Sequence, residues 1–147
     1  MKKSTMFFAA LITMLMTTVS TFADDRVVPN EQLPAAAKAF LQKNFPGNAV
    51  SYTTLDYDNM RKMYEAHLAD GTEVKFDKAG NWDKVDCHFT AVPAHLVPAN
   101  IAQQVKAQYQ GAVITKIDKE RYGYDIELSN DLDLKFNKHG QLAYIDD

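Results

Sequence analysis

The sequence predicts an α+β fold: two tandem repeats, each a helix packed on an antiparallel sheet of about four strands. Three observations predict it. "VKFDKAGNWDKVD" (74–86) returns as "LKFNKHGQLAYID" (134–146), with Lys, Phe, Lys, Gly and Asp in step at an offset of 60. Upstream, an amphipathic segment that follows a proline recurs at an offset of 64, pairing Pro34 with Pro98, Phe45 with Tyr109 and Gly47 with Gly111. Between these landmarks, apolar residues alternate with charged ones and are punctuated by turn residues, the period of half-buried strands. Two copies of so long a unit indicate a duplicated small domain, since a solenoid needs three or more.

The chain begins with Lys2 and Lys3, an apolar run from Met6 to about Met16, and small residues Thr21 and Ala23 before Asp24. That is the layout of a secretory signal peptide over residues 1–23, cut before Asp24. An uncleaved membrane anchor is the alternative, and the apolar run is short for one. Removing residues 1–23 takes away Lys2 and Lys3 and leaves 124 residues with 14 Lys+Arg against 19 Asp+Glu, a net charge of −5. A mildly acidic exported chain has no electrostatic attraction to nucleic acid or anionic lipid. Cys87 is the one cysteine, so no internal disulfide can form. It reads as a half-buried strand residue, with an intermolecular bridge as the alternative.

The first repeat spans 24–87. Pro34 suits a first helical turn, and Ala37, Phe40, Leu41 and Phe45 then fall at helical spacing until Gly47 stops the helix. "LADGT" and "DKAGN" each place glycine third in a three-residue loop, the chemistry of a type I turn closed by a G1 bulge. That register pairs Tyr64 with Phe76, Ala66 with Val74, Leu68 with Thr72, and then Phe76 with Trp82. A connector, 88–96, leads to the second repeat, 97–147. There Ile101, Ala102, Val105 and Tyr109 make a thinner helical stripe, with Gln104 standing where Phe40 stands. The same turn arithmetic pairs Tyr124 with Phe136, Ile126 with Leu134, Phe136 with Leu142, and Leu134 with Tyr144. Asp131 replaces the first glycine, a substitution that Asp tolerates better than most residues. The change of offset from 64 to 60 leaves four extra residues near Asp56–Arg61, expected in a surface loop.

With the apolar side of each sheet under its helix, the other side presents Glu65, His67, Glu73, Lys75 and Asp83 in the first repeat. In the second it presents Asp125, Glu127, Asp133, Lys135 and Ala143. Cross-strand pairing sets Glu65 against Lys75, His67 against Glu73, and Asp125 against Lys135. It also sets Glu127 against Asp133, a like-charge pair worth up to about 1 kcal/mol of destabilisation. The pair is either solvated or met by a basic side chain or a cation. Lys84 is directed toward the core beside Val74, where only snorkelling could accommodate it.

No catalytic set assembles. Neither Ser51 nor Ser129 lies in a Gly-x-Ser-x-Gly elbow, and His67, His88, His95 and His139 form no H-E-x-x-H. Cys87 and His88, as strand neighbours, would point to opposite faces. "DYDN" (56–59) lacks the glycine and the distal glutamate of a calcium loop. No glycine-rich phosphate loop is present. No catalytic residue, metal ligand or cofactor is therefore assigned.

"LPAAAKAFLQKNFPG" with "MYEAHLADGTEVKFDKAGNWDKVD", and then "VPANIAQQVKAQYQG" with "GYDIELSNDLDLKFNKHGQLAYID", resemble the PepSY-like, β-lactamase-inhibitor-like proteins of the bacterial periplasm. The likeness spans the whole chain after the leader, and its motifs mark helix starts, turns and core. It implies a tandem α+β repeat whose two sheets run together into one concave surface, and a periplasmic or secreted location. In the β-lactamase inhibitor that surface grips an enzyme, but no inhibitor contact matches here position by position. The expectation is a non-catalytic binding module that presents Glu65, His67, Glu73, Lys75, Asp125, Glu127, Asp133 and Lys135, together with the connector "CHFTAVPAHLV" (87–97), to a protein or peptide. An inhibitor or modulator of a secreted hydrolase or peptidase is one form of it. The alternative is small-ligand or cation sensing on the acidic sheet face.

Overall fold

The computed structural model describes residues 25–146, so the expected leader, 1–23, lies outside the described residues. The expectation of two helix-on-sheet repeats is overturned. Among the described residues a single nine-stranded antiparallel sheet runs in strict sequence order, with two ten-residue helices. Its elements are β1 (Arg26–Val28), α1 (Ala35–Asn44), β2 (Val50–Asp58), β3 (Arg61–Leu68), β4 (Glu73–Asp77) and β5 (Trp82–Asp86). They continue as α2 (Ala99–Gln108), β6 (Ile114–Glu120), β7 (Gly123–Leu128), β8 (Asp133–Asn137) and β9 (Leu142–Asp146). Short 3-10 turns at Asn30–Gln32 and Ala94–Leu96 precede the helices.

The physical reason for one sheet is the seam between β5 and β6. There Lys84 meets Asp118, Val85 meets Ile117 and Asp86 meets Lys116. Val85 and Ile117 are fully buried, and the Cys87 amide donates to the Thr115 carbonyl at 2.8 Å. Joining here satisfies two strand edges that separate sheets would leave bare. It also merges the apolar residues of both halves into one core cluster, with Ala37 and Leu41 of α1 and Ile101 and Val105 of α2 laid on it.

Turn chemistry set the hairpin registers as expected. Tyr64 pairs with Phe76, Ala66 with Val74, Tyr124 with Phe136 and Ile126 with Leu134. Asp131 adopts φ +64°, the left-handed conformation that glycine takes at the equivalent turn. The four extra residues do not enlarge a loop. They lengthen the β2–β3 hairpin, which closes at the two-residue turn Asn59–Met60, whereas the shorter β6–β7 hairpin closes at Arg121–Tyr122.

The register fails beyond Phe76 and Phe136. A β-bulge in β5 sets Lys84, not Asp83, opposite Lys75, and its counterpart in β9 sets Tyr144, not Ala143, opposite Lys135. Lys84 therefore lies on the open face and Val85 takes the core position. Likewise Ile145, not Tyr144, faces Leu134.

Candidate functional site

Both helices lie on one side of the sheet. The other side carries the alternate residues of β3 to β9, and all eight nominated side chains are in that row. The pairings Glu65–Lys75, His67–Glu73, Asp125–Lys135 and Glu127–Asp133 hold as expected. The side-chain contacts regroup them around residues that the sequence reading had placed elsewhere.

In the β3–β5 region the organiser is Lys84. Its ammonium lies 2.7 Å from Glu65 Oε1, a close ion pair outside hydrogen-bond angles, and 4.0 Å from Glu73 Oε2. Burial pushes the Glu65 carboxyl up, but Lys84 outweighs it and holds the group below the usual carboxylate range. Burial pulls Lys84 down in turn, and Glu65 holds it above its ordinary value. Glu73 Oε1 is 3.4 Å from His67 Nδ1 and 3.8 Å from His88 Nε2, while His88 Nδ1 is 3.3 Å from Asp86 Oδ1. Tyr52 stacks on the His67 ring with centroids 4.2 Å apart. One donor atom each from Glu73, Asp86 and His88 fall within 4.8 Å of one another. His88, with φ +52°, has left the strand, so it does not alternate with Cys87 as assumed. Cys87 is free and buried, and burial raises its thiol away from reactivity.

In the β6–β9 region the ions pair singly. Lys135 bonds Asp125, which also accepts from the Tyr122 hydroxyl, and Lys116 reaches Glu127 at 3.5 Å. Of the two alternatives for the Glu127–Asp133 pair, solvation or a basic neighbour, Glu127 has the basic neighbour in the chain's own Lys116. Asp133 stands in register between Glu127 and Asp146, and no ion pair reaches it among the described residues.

Over the β5–β6 seam, between the tips of the β2–β3 and β6–β7 hairpins, lies a polar cleft of about 480 Å³. Arg61, Lys75, Lys84, Lys116, Lys119 and Arg121 line it together with Asp58, Asp83, Asp118 and Glu120. Burial, then Glu120, pushes the Asp118 carboxyl up to about 6 against the pull of Lys84 and Lys116. Of the nominated residues only Lys75 enters this cleft. Met63, in the same row as Glu65, is fully buried, with its sulfur 3.7 Å from the Arg61 guanidinium.

The residues missed were Lys84, Asp86, His88, Lys116 and Asp118. A signal for the first existed. Trp82 and Val85 are three apart, which strict alternation cannot place on one face without a bulge, and Lys84 and Asp86 flank Val85 with charge.

No helix among the described residues is long and apolar enough to cross a membrane. None of the curated proteins compared with the chain matches it. Residues 62–144 match the family model described as "Putative beta-lactamase-inhibitor-like, PepSY-like". Solved structures agree along the chain. A protein from Bacteroides vulgatus, described as "a putative periplasmic protein from DUF2874 family", is 33% identical, covers 84% of this chain and 98% of its own, and gives a TM-score of 0.77. A second Bacteroides vulgatus protein, described as "a putative periplasmic protein of unknown function", is 32% identical over 84% and 100%, with a TM-score of 0.79. A Bacteroides thetaiotaomicron protein, described as "a putative calcium-regulated periplasmic protein", is 35% identical over 84% and 98%, with a TM-score of 0.77. Like these relatives, the chain is a periplasmic or secreted protein. It belongs to the beta-lactamase-inhibitor-like, PepSY-like family.

Proposed function

We propose that the protein is a non-catalytic binding module that holds a protein or peptide partner on the open face of its sheet, as an inhibitor or modulator of a secreted hydrolase or peptidase does. One observation carries the reading: among the described residues a whole sheet face is bare of helices and given over to ionic side chains, with a polar cleft at its centre. Charged groups in fixed geometry select a partner by complementarity and steer its approach. The family description supports a protein partner. Lys75, Lys84 and Lys116 around the cleft, flanked by Glu65, Glu73 and Glu127, would set the orientation. The test is recovery of partners from envelope extract by the wild-type protein and by a Glu65→Lys, Glu127→Lys, Asp133→Lys variant. A band enriched by wild type and lost in the variant is the expected result. Equal recovery by both removes the open face from consideration.

A second reading, cation sensing on the same face, is favoured by the Glu73, Asp86 and His88 donors and by the description of the Bacteroides thetaiotaomicron relative. Binding to the folded state alone raises the melting temperature with concentration. Calcium and zinc titrations would then stabilise the wild-type protein and leave Asp86→Asn unmoved. A flat wild-type response to both ions eliminates this reading.

A further inference from the structure

The outer edge of β9 carries an inference that does not rest on the open face. Position by position, β9 is the counterpart of β5. Both follow a three-residue turn closed by a left-handed glycine, Gly80 or Gly140, and both carry a one-residue bulge. Both end in an aliphatic residue followed by aspartate, Val85–Asp86 and Ile145–Asp146. Yet β5 has β6 on its outer side, and nothing among the described residues pairs with the outer side of β9. The consequence shows in exposure: Val85 is 0% exposed, Ile145 47% and Tyr144 56%. The bulge is no barrier to a further strand, because β5 has the same bulge and pairs. Nor does a lysine or a proline guard this edge, as edges elsewhere are guarded.

The β5–β6 seam also indicates what fits. Antiparallel to β5, Lys116 lies opposite Asp86, Ile117 opposite Val85 and Asp118 opposite Lys84. On β9 the same arrangement would set a basic residue against Asp146 and a β-branched residue against Ile145. In β5 the outward backbone groups are those of Cys87, which bonds Thr115, and by alternation those of Val85. In β9 they are then those of Ile145. We propose that the β9 edge accepts, by antiparallel strand addition, an extended segment of a partner protein whose pattern is a basic residue followed by a β-branched one. Main-chain bonds at Ile145 would give affinity, and the Asp146 carboxylate would select the basic side chain.

The probe is a synthetic peptide with the sequence of residues 113–120, which carries the β6 pattern, titrated against the protein by fluorescence anisotropy. Proline at an outward-facing edge position leaves the inner ladder intact, so Ile145→Pro removes the bonding N–H and spares the β8–β9 pairing. The expected result is saturable binding, weakened at least about tenfold by Ile145→Pro, by N-methylation of the peptide at the position of Ile117, and by scrambling the peptide. The N-methylated peptide tests the idea even where the proline variant fails to fold. Undiminished binding of the N-methylated or scrambled peptide overturns the proposal, as does no binding by the wild type. A wild-type protein that elutes as a dimer, and turns monomeric on Ile145→Pro, overturns it too by assigning the edge to a second copy. The triple charge-reversal variant keeps peptide binding, so failure at the edge and failure at the open face remain separate.

Discussion

The sheet regions β2–β5 and β6–β9 share turns, bulges and a helix apiece, and they differ in what covers them. Over the first, Phe40 of α1 meets Phe76 edge-on at 5.6 Å and Trp82 at 6.2 Å between ring centroids. Over the second, Gln104 takes that place and its amide donates to the Gly140 carbonyl at 2.7 Å and the Asn100 carbonyl at 3.1 Å. At this position one half meets its helix by aromatic packing and the other by amide bonds to a turn. On the open face the first half gathers its ions around Lys84, while the second pairs them one to one. At the edge, β5 is sealed and β9 is not. Hairpin geometry is therefore set locally by turns, while burial and charge are set by what each strand meets across the sheet.

The sharpest way to break this comparison is to truncate one isoleucine on the seam and one on the edge. Ile117→Ala, at the fully buried seam, should cost about 3 kcal/mol in chemical denaturation. Ile145→Ala, at the bare edge, should cost less than about 1 kcal/mol. Equal costs would mean that the seam is not part of the core. The turns give a smaller contrast. A methyl at Gly80 would lie 2.8 Å from the Ala37 backbone nitrogen, whereas at Gly140 it would meet the movable side chain of Asn100. Both positions have positive φ, so Gly80→Ala should cost about 2 kcal/mol and Gly140→Ala about 1 kcal/mol in thermal melts.

The smallest effect is at the cleft. Folded Asp118, with its pKa raised from 3.8 to about 6, holds a proton more tightly than the unfolded chain does. Its stabilising contribution is full below about pH 4 and is lost as pH rises through about 6. Asp118→Asn should therefore gain about 1 kcal/mol on wild type between pH 3.5 and pH 7.5, after discounting the full shift for the exposed part of the side chain. A stability difference that does not change with pH would place Asp118 in open solvent.

The hairpins were legible because three-residue turns name their own closing pairs, and Tyr64–Phe76 and Ile126–Leu134 follow by counting. The two helices were legible from Pro34 and Pro98 at their starts and from their apolar stripes. The bulges were not, because counting by two through "NWDKVD" carries Lys84 inward, against the three-residue spacing of Trp82 and Val85 and the desolvation cost of a buried ammonium. The seam was harder still: nothing local in "ITKID" says which strand will lie beside it, and β1, at three residues, is too short to show a period. The ionic row of eight was read correctly as one face. Its working contacts were not, since Lys84, His88 and Lys116 arrive from the misread strand, the connector and β6.

Native-state hydrogen exchange tests the single sheet most directly. The Cys87 and Ile117 amides on the β5–β6 seam should exchange only by global unfolding, with the same free energy as the core amides of β3 and β7, while the Ile145 amide on the β9 edge exchanges freely. Seam amides that exchange as fast as Ile145, with two separate stabilities on either side, would mean two independent sheets and contradict the account.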